Sequence, residues 1–246
     1  MRSALQQEDF LNQIASKLGR PRRFGIKPPA WEQKPYERLH QGLDQEELIQ
    51  QFIASLKELR TEVDRVPADM FPDVFGSMLH QFQVKSAVYW DDPRLFDLHV
   101  PKLLTEQQVE HRAWQVAGDE ADLRSFAARA DIGITFADAG LSETGTVVLF
   151  NGGGRGRLVS LLPPVYVVIL QESSILPRLT EGAAYVQQRM KEKEDVPACI
   201  NFITGPSRTG DIEMDLAFGV HGPGKVHVIL LKTANGAENP PSPQLG

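Results

Sequence analysis

Three polar stretches of this sequence hold residue types suited to chemistry. The first is Ala137-Asp138-Ala139-Gly140-Leu141-Ser142-Glu143-Thr144-Gly145-Thr146. It sets a carboxylate in a turn, with hydroxyls at Ser142 and Thr144 and with Gly145 free to adopt positive φ. A turn carboxylate held against a sheet is a candidate nucleophile or base, so Glu143 is a candidate catalytic residue and Gly145 a substrate contact. The plainer alternative makes Glu143 a solvated turn residue and has Asp138 bond its own backbone.

The second stretch, Asn151-Gly152-Gly153-Gly154-Arg155-Gly156-Arg157, offers flexible backbone and two arginines. Such a loop can nest a phosphate or carboxylate, with Gly154 and Arg155 as the contacts, or it can be a hairpin tip facing water. It fits neither the G-x-G-x-x-G pattern nor the P-loop, so a nucleotide fingerprint is absent.

The third stretch is Gly205-Pro206-Ser207-Arg208-Thr209-Gly210-Asp211-Ile212-Glu213. It follows an apolar run at 199–204, and its spacing predicts a helix after Ser207. In an open parallel sheet this is where an anion would meet free N–H groups, hydroxyls and Arg208. Gly205, Pro206, Ser207, Arg208, Thr209, Asp211 and Glu213 are therefore candidate substrate contacts. The competing account uses Ser207 or Thr209 as a helix cap and the two acids to complement the helix dipole. His221, flanked by Gly219, Gly222 and Gly224, is a second candidate catalytic group, an acid or base. His227 falls within a strand, where packing is its expected role. No zinc-spaced His/Cys set exists, and no metal site is expected.

The elements that must position these groups follow from periodicity. Phe10, Leu11, Ile14 and Leu18 predict a helix that stops at Gly19. Four prolines between 21 and 35 then make an extended arm, and Asp44 with Glu47 opens a second helix running to about Leu59. Apolar runs at 62–66, 86–90, 113–117, 132–136, 146–150, 165–170, 199–204 and 226–231 read as strands, and helices are expected at 119–129 and 175–190. This alternation predicts an α/β fold: an open, largely parallel, Rossmann-like sheet with helices on both faces, plus a β-hairpin around residues 132–150. The division expected is an N-terminal helix and arm at 1–35, one α/β domain at 36–235 and a disordered tail at 236–246.

Composition narrows the function. Among 246 residues, 26 are basic and 32 acidic, a net charge of −6 without a basic tract, which argues against nucleic-acid binding. The longest apolar stretch, 158–170, is broken by Pro163 and Pro164 and falls short of the roughly 20 residues that span a bilayer. Glu8 and Asp9 stand where a signal peptide needs apolar residues, so no export or membrane insertion is expected. The single Cys199 cannot form an internal disulfide, which suits a reducing cytoplasm. Nor can it hold an iron–sulfur cluster, which takes about four cysteines, so no cofactor is expected in this chain.

The segments Ser142-Glu143-Thr144-Gly145-Thr146, Gly156-Arg157-Leu158-Val159-Ser160-Leu161-Leu162-Pro163-Pro164, Gly205-Pro206-Ser207-Arg208-Thr209, Asp211-Ile212-Glu213 and Gly219-Val220-His221-Gly222-Pro223 occur in this order in the lactate utilisation protein C family, the small LUD-domain proteins. Leu18-Gly19-Arg20-Pro21-Arg22 resembles that family's opening, and Gly210 departs from it by replacing an alanine. The resemblance implies a fold similar to the ribose-phosphate isomerase, glucosamine-phosphate deaminase and CoA-transferase superfamily. It further implies a non-redox role in oxidising L-lactate to pyruvate, in which the chain binds a small anionic metabolite, partner subunits or both. The partners implied are cysteine-rich and iron–sulfur lactate utilisation subunits. An alternative follows from the fold-level likeness of the Glu143 turn to the glutamate segment of CoA transferases: an acyl-transfer or phosphosugar enzyme using Glu143.

Overall fold

The computed structural model describes residues 2–25, 27, 42–115, 120–192, 197–212 and 215–232. The chain divides into two units, residues 1–41 and 42–246. The first holds α1 (Arg2–Lys17), which ends at Gly19 with φ +61°. Beyond it, Arg22 turns back onto the helix and pairs with Glu8. Most of the arm from 28 to 41, like the tail from 233, lies outside the described residues.

The second unit opens with α2 (Gln45–Glu58), whose start is a capping box. Asp44 accepts from the Glu47 main chain and Glu47 accepts in return from that of Asp44, which satisfies two otherwise orphaned donors. Leu48, Ile49, Phe52 and Leu56 recur at helical spacing and are buried. Six strands follow in one sheet: β1 (Glu62–Val66), β2 (Ser86–Trp90), β3 (Glu110–Trp114), β4 (Ile132–Phe136), β7 (Val165–Gln171) and β12 (Lys225–Leu231). Their spatial order is β1-β12-β7-β4-β2-β3, and every pairing is parallel. All five side chains of β2 and of β4 are buried, as expected of strands covered on both faces. The connecting helices are α3 (Phe71–Gln81), α4 (Pro93–Asp97), α5 (Val100–Glu106) and α6 (Glu120–Arg129).

A second sheet, in the order β8-β5-β6-β9, joins β5 (Ala139–Leu141), β6 (Thr146–Asn151), β8 (Ile175–Leu176) and β9 (Cys199–Thr204). The hairpin expected around 132–150 is carried by β5 and β6 through the turn at Ser142–Thr144, while Ile132–Phe136 belongs to the parallel sheet. Helix α7 (Leu179–Glu192) packs on one face of this second sheet, where Tyr185 and Val186 meet Val148 and Phe150.

Two expectations are corrected here. Strand β9 runs antiparallel to β6, so it is not a further strand of the parallel sheet. Among the described residues no helix follows Ser207: β10 (Arg208–Ile212) and β11 (Asp215–Phe218) pair as an antiparallel ribbon. The main chain of Ser207 explains the extended path. Its N–H donates to Pro223 O at 2.8 Å and its carbonyl accepts from Gly219 N at 2.9 Å, continuing the ladder beyond Arg208 and Phe218.

Candidate functional site

The chain leaves β2 for β3 on one side and later returns to β4 on the other, so the order of the parallel sheet reverses between β2 and β4. In open α/β sheets the crevice beyond the carboxyl ends at such a reversal is where ligands bind. The residues there are ionic. Asp92, just past β2, has no exposed surface, and the Asp138 carboxylate just past β4 is buried as well. Two arginines cover them, Arg94 from the first turn of α4 and Arg155 from the glycine loop after β6.

Arg94 is fully committed. Its Nε and Nη2 reach the two oxygens of Asp92 at 3.0 and 2.7 Å. Nη2 also donates to Phe136 O at 3.1 Å, and Nη1 donates to Ala137 O and faces Asp138 Oδ1, both at 3.3 Å. Arg155 is braced by both carboxylates, and its guanidinium stands 5.9 Å from the centre of the Trp90 ring. Nε lies 2.9 Å from Asp92 Oδ2 and Nη1 lies 3.4 Å from Asp138 Oδ1, while Nη2 has no partner among the described residues. Its side chain remains a quarter exposed. The second oxygen of Asp138 accepts from Phe150 N at 2.8 Å across the hairpin, which fixes the carboxylate. Arg155 therefore points a held, charged fork outward from two buried counter-ions.

The electrostatics agree. Burial is the largest influence on Asp92 and pushes its carboxyl up, but hydrogen bonds from Arg94 and the charges of Arg94 and Arg155 outweigh it and leave it below its ordinary value. Burial likewise pulls Arg94 down, and Asp92 and Asp138 more than restore it. Asp92 and Arg94 are therefore both charged at neutral pH.

The glycines around Arg155 serve packing. A Cβ on Gly156 would stand 2.2 Å from the Trp114 ring, and one on Gly154 would stand 2.6 Å from Asp91 Cβ. Trp90 Nε1 donates to Gly156 O at 2.9 Å, and Asp91 N donates to Gly154 O at 3.0 Å. The loop lies flush on the ends of β2 and β3, which sets where Arg155 emerges. From α7, Tyr185 donates to the Asp138 main-chain oxygen at 3.2 Å. Arg189, one turn further, stands over the Phe150 ring at 6.0 Å, and its buried Nε has no partner among the described residues.

The other residues singled out by sequence lie elsewhere. Thr146 pairs with Thr204 and Asn151 with Cys199. The Glu143 turn and Gly205 thus adjoin one end of β6, and Gly154 and Arg155 the other, about 16 Å away at strand spacing. Gly145 has φ +59°, and its α-carbon is held against Leu56 N and Ser55 of α2. Glu143 Oε2 lies 3.3 Å from Arg178 Nε. Gly205, at φ +69°, packs on Leu59 and Thr61 ahead of β1, and Pro206 is buried beside it. Ser207 and the exposed His221 share the turn before β12, and the exposed Arg208 faces Phe218 in register on the ribbon. Thr209 and Asp211 lie on β10, and Glu213 lies outside the described residues. Those of them that are described belong to the amino-end side of the parallel sheet and do not join Arg155. His227 is buried, with Nε2 2.8 Å from Asp64 Oδ2.

Of the residues singled out by sequence, Gly154 and Arg155 lie at this switch point; Asp92, Arg94, Tyr185 and Arg189 were not among them. One signal was available: Asp92-Pro93-Arg94 lies just past the mostly apolar run Ala87–Trp90, the position where ligands meet such sheets. Among the described residues, no group of three or more His, Cys, Asp or Glu side chains is placed to hold a metal ion. Among the same residues, no helix is long and apolar enough to cross a membrane.

The chain is 40% identical to Lactate utilization protein C 1 of Bacillus mycoides (strain KBAB4), covering 94% of this chain and 99% of that one. It is 36% identical to Lactate utilization protein C of Geobacillus sp. (strain WCH70), over 92% and 95% of the two chains. It is 37% identical to Lactate utilization protein C of Bacillus subtilis (strain 168), again over 92% and 95%. The crystal structure of a DUF162 family protein from Deinococcus radiodurans shares the fold, with a TM-score of 0.55 at 23% identity, covering 77% of this chain and 99% of that one. Residues 49–231 match the LUD domain, and the chain belongs to the LUD domain family.

Proposed function

We propose that this protein serves lactate utilisation by binding a small carboxylate anion at the carboxyl end of β2 and β4, with Arg155 as the carboxylate ligand. The observation that carries this is the bracing of Arg155: Asp92 and Asp138 fix its Nε and Nη1, and Nη2, without a hydrogen-bond partner among the described residues, is left to a ligand. A planar guanidinium held in one orientation suits a carboxylate, since the fork loses little freedom on binding. The relatives named Lactate utilization protein C supply the biological setting.

The electrons of lactate oxidation go to partner subunits that carry cysteine-rich and iron–sulfur sites, with this chain as the non-redox component in the cytoplasm. The lone Cys199 fits that division. Acyl transfer through Glu143 is the weaker reading, because Glu143 is engaged by Arg178 and stands apart from Arg155.

Calorimetric titration of the full chain with L-lactate, pyruvate and propionate tests the site. Arg155→Gln is expected to weaken binding at least tenfold, whereas Arg208→Ala leaves it within twofold. Equal binding by wild type and Arg155→Gln overturns the assignment.

A further inference from the structure

Tyr185 approaches the switch point from α7, and its ring is held edge-on against Phe150 with centroids 6.0 Å apart. Its one hydroxyl hydrogen is given to the Asp138 main-chain oxygen. A phenol has a single donor, so with that donor spent, the oxygen offers only lone pairs to anything else. Burial, and then the Asp138 charge, raise the Tyr185 pKa against the pull of Arg189, Arg94 and Arg155, so the hydrogen stays in place at neutral pH. Arg155 contacts the Asp138 side chain while Tyr185 contacts its main chain, and both therefore adjoin one residue.

We propose that Tyr185 makes this a site for 2-hydroxy acids in preference to 2-oxo acids, with Arg155 holding the carboxylate and the Tyr185 oxygen accepting a hydrogen bond from the 2-hydroxyl. This rests on the carboxylate site assigned above. A 2-oxo acid has no hydrogen at that position, and its carbonyl lone pairs would meet those of the phenol. A polar partner left unmatched in a partly buried site is penalised more than a made hydrogen bond is rewarded, so the preference comes from rejection as much as from attraction. Arg189 Nε, next along the same helix face, can donate to the oxygen of either ligand and does not itself discriminate.

The test compares L-lactate, pyruvate and propionate by calorimetry on the full chain, with propionate as the carboxylate lacking a 2-substituent. Wild type is expected to bind L-lactate about tenfold more tightly than pyruvate or propionate. Tyr185→Phe should bring L-lactate down to the level of propionate and leave propionate unchanged, a pattern that general loss of structure would not give. Equal affinities for L-lactate and pyruvate in wild type, or a preference that survives Tyr185→Phe, overturn the proposal while the carboxylate site stands. If none of the three binds, both fall.

Discussion

Arg155 and Asp92 face each other with Nε 2.9 Å from Oδ2, although one comes from the loop after β6 in the second sheet and the other from the end of β2 in the first. This contact ties the two sheets together at the switch point. Asp92 has no exposed surface and serves two arginines at once. Removing a buried charge's partner leaves that charge desolvated and unpaired, which costs far more than an exposed ion pair contributes.

Asp92→Ala, which leaves both arginines paired with Asp138 alone, is expected to lower stability by about 1–3 kcal/mol in denaturant unfolding. Glu143→Gln, which weakens the partly exposed pair with Arg178, should change it by less than about 1 kcal/mol. A comparable loss in the two variants would contradict the burial argument.

The pH dependence follows from the lowered pKa of Asp92. A carboxyl whose folded value lies below its unfolded value binds fewer protons when folded, so it stabilises the protein above the ordinary aspartate value of 3.8. That contribution fades as the pH falls further and the folded carboxylate is protonated. The stability gap between wild type and Asp92→Asn should therefore be full at pH 6 and shrink below about pH 4. A gap that is constant through this range would show that Asp92 does not titrate as described.

Gly156→Ala should lower stability by about 1–3 kcal/mol, because the new methyl meets the Trp114 ring. It should also weaken carboxylate binding, since the displaced loop carries Arg155. Gly210→Ala is the control. It has open space around the added carbon and no positive φ, so it should be neutral or stabilise by up to about 1 kcal/mol. Thermal melts and titrations of the two variants decide the point.

Deleting residues 1–41 should leave a folded domain with an unchanged far-ultraviolet strand signal. Those residues form their own unit, and the LUD domain match begins at 49. Loss of cooperative unfolding in the truncated chain would show that the domain depends on them.

The sequence was legible where a local pattern has one physical reading. The Asp44–Glu47 box, the buried stripe Leu48, Phe52 and Leu56, and the inward face Leu123, Phe126 and Ala127 all appear as the periodicity requires. It was misread after Thr204, where Ile212, Leu216 and Ala217 stand at helical spacing. There the Ser207 main chain is already bonded to Pro223 and Gly219, and those long-range bonds override the local preference.

The sequence by itself determined the alternating α/β pattern, the family motifs and the lack of enough thiols for an iron–sulfur centre. Only the tertiary structure decided that Arg155 meets Asp92 and Asp138 and that Glu143, Arg208 and His221 do not. The physical reason is direction. An apolar strand reads the same whether it runs parallel or antiparallel and whichever neighbour it takes, so strand order and the ends that share an edge are written in long-range pairing rather than in local residue types.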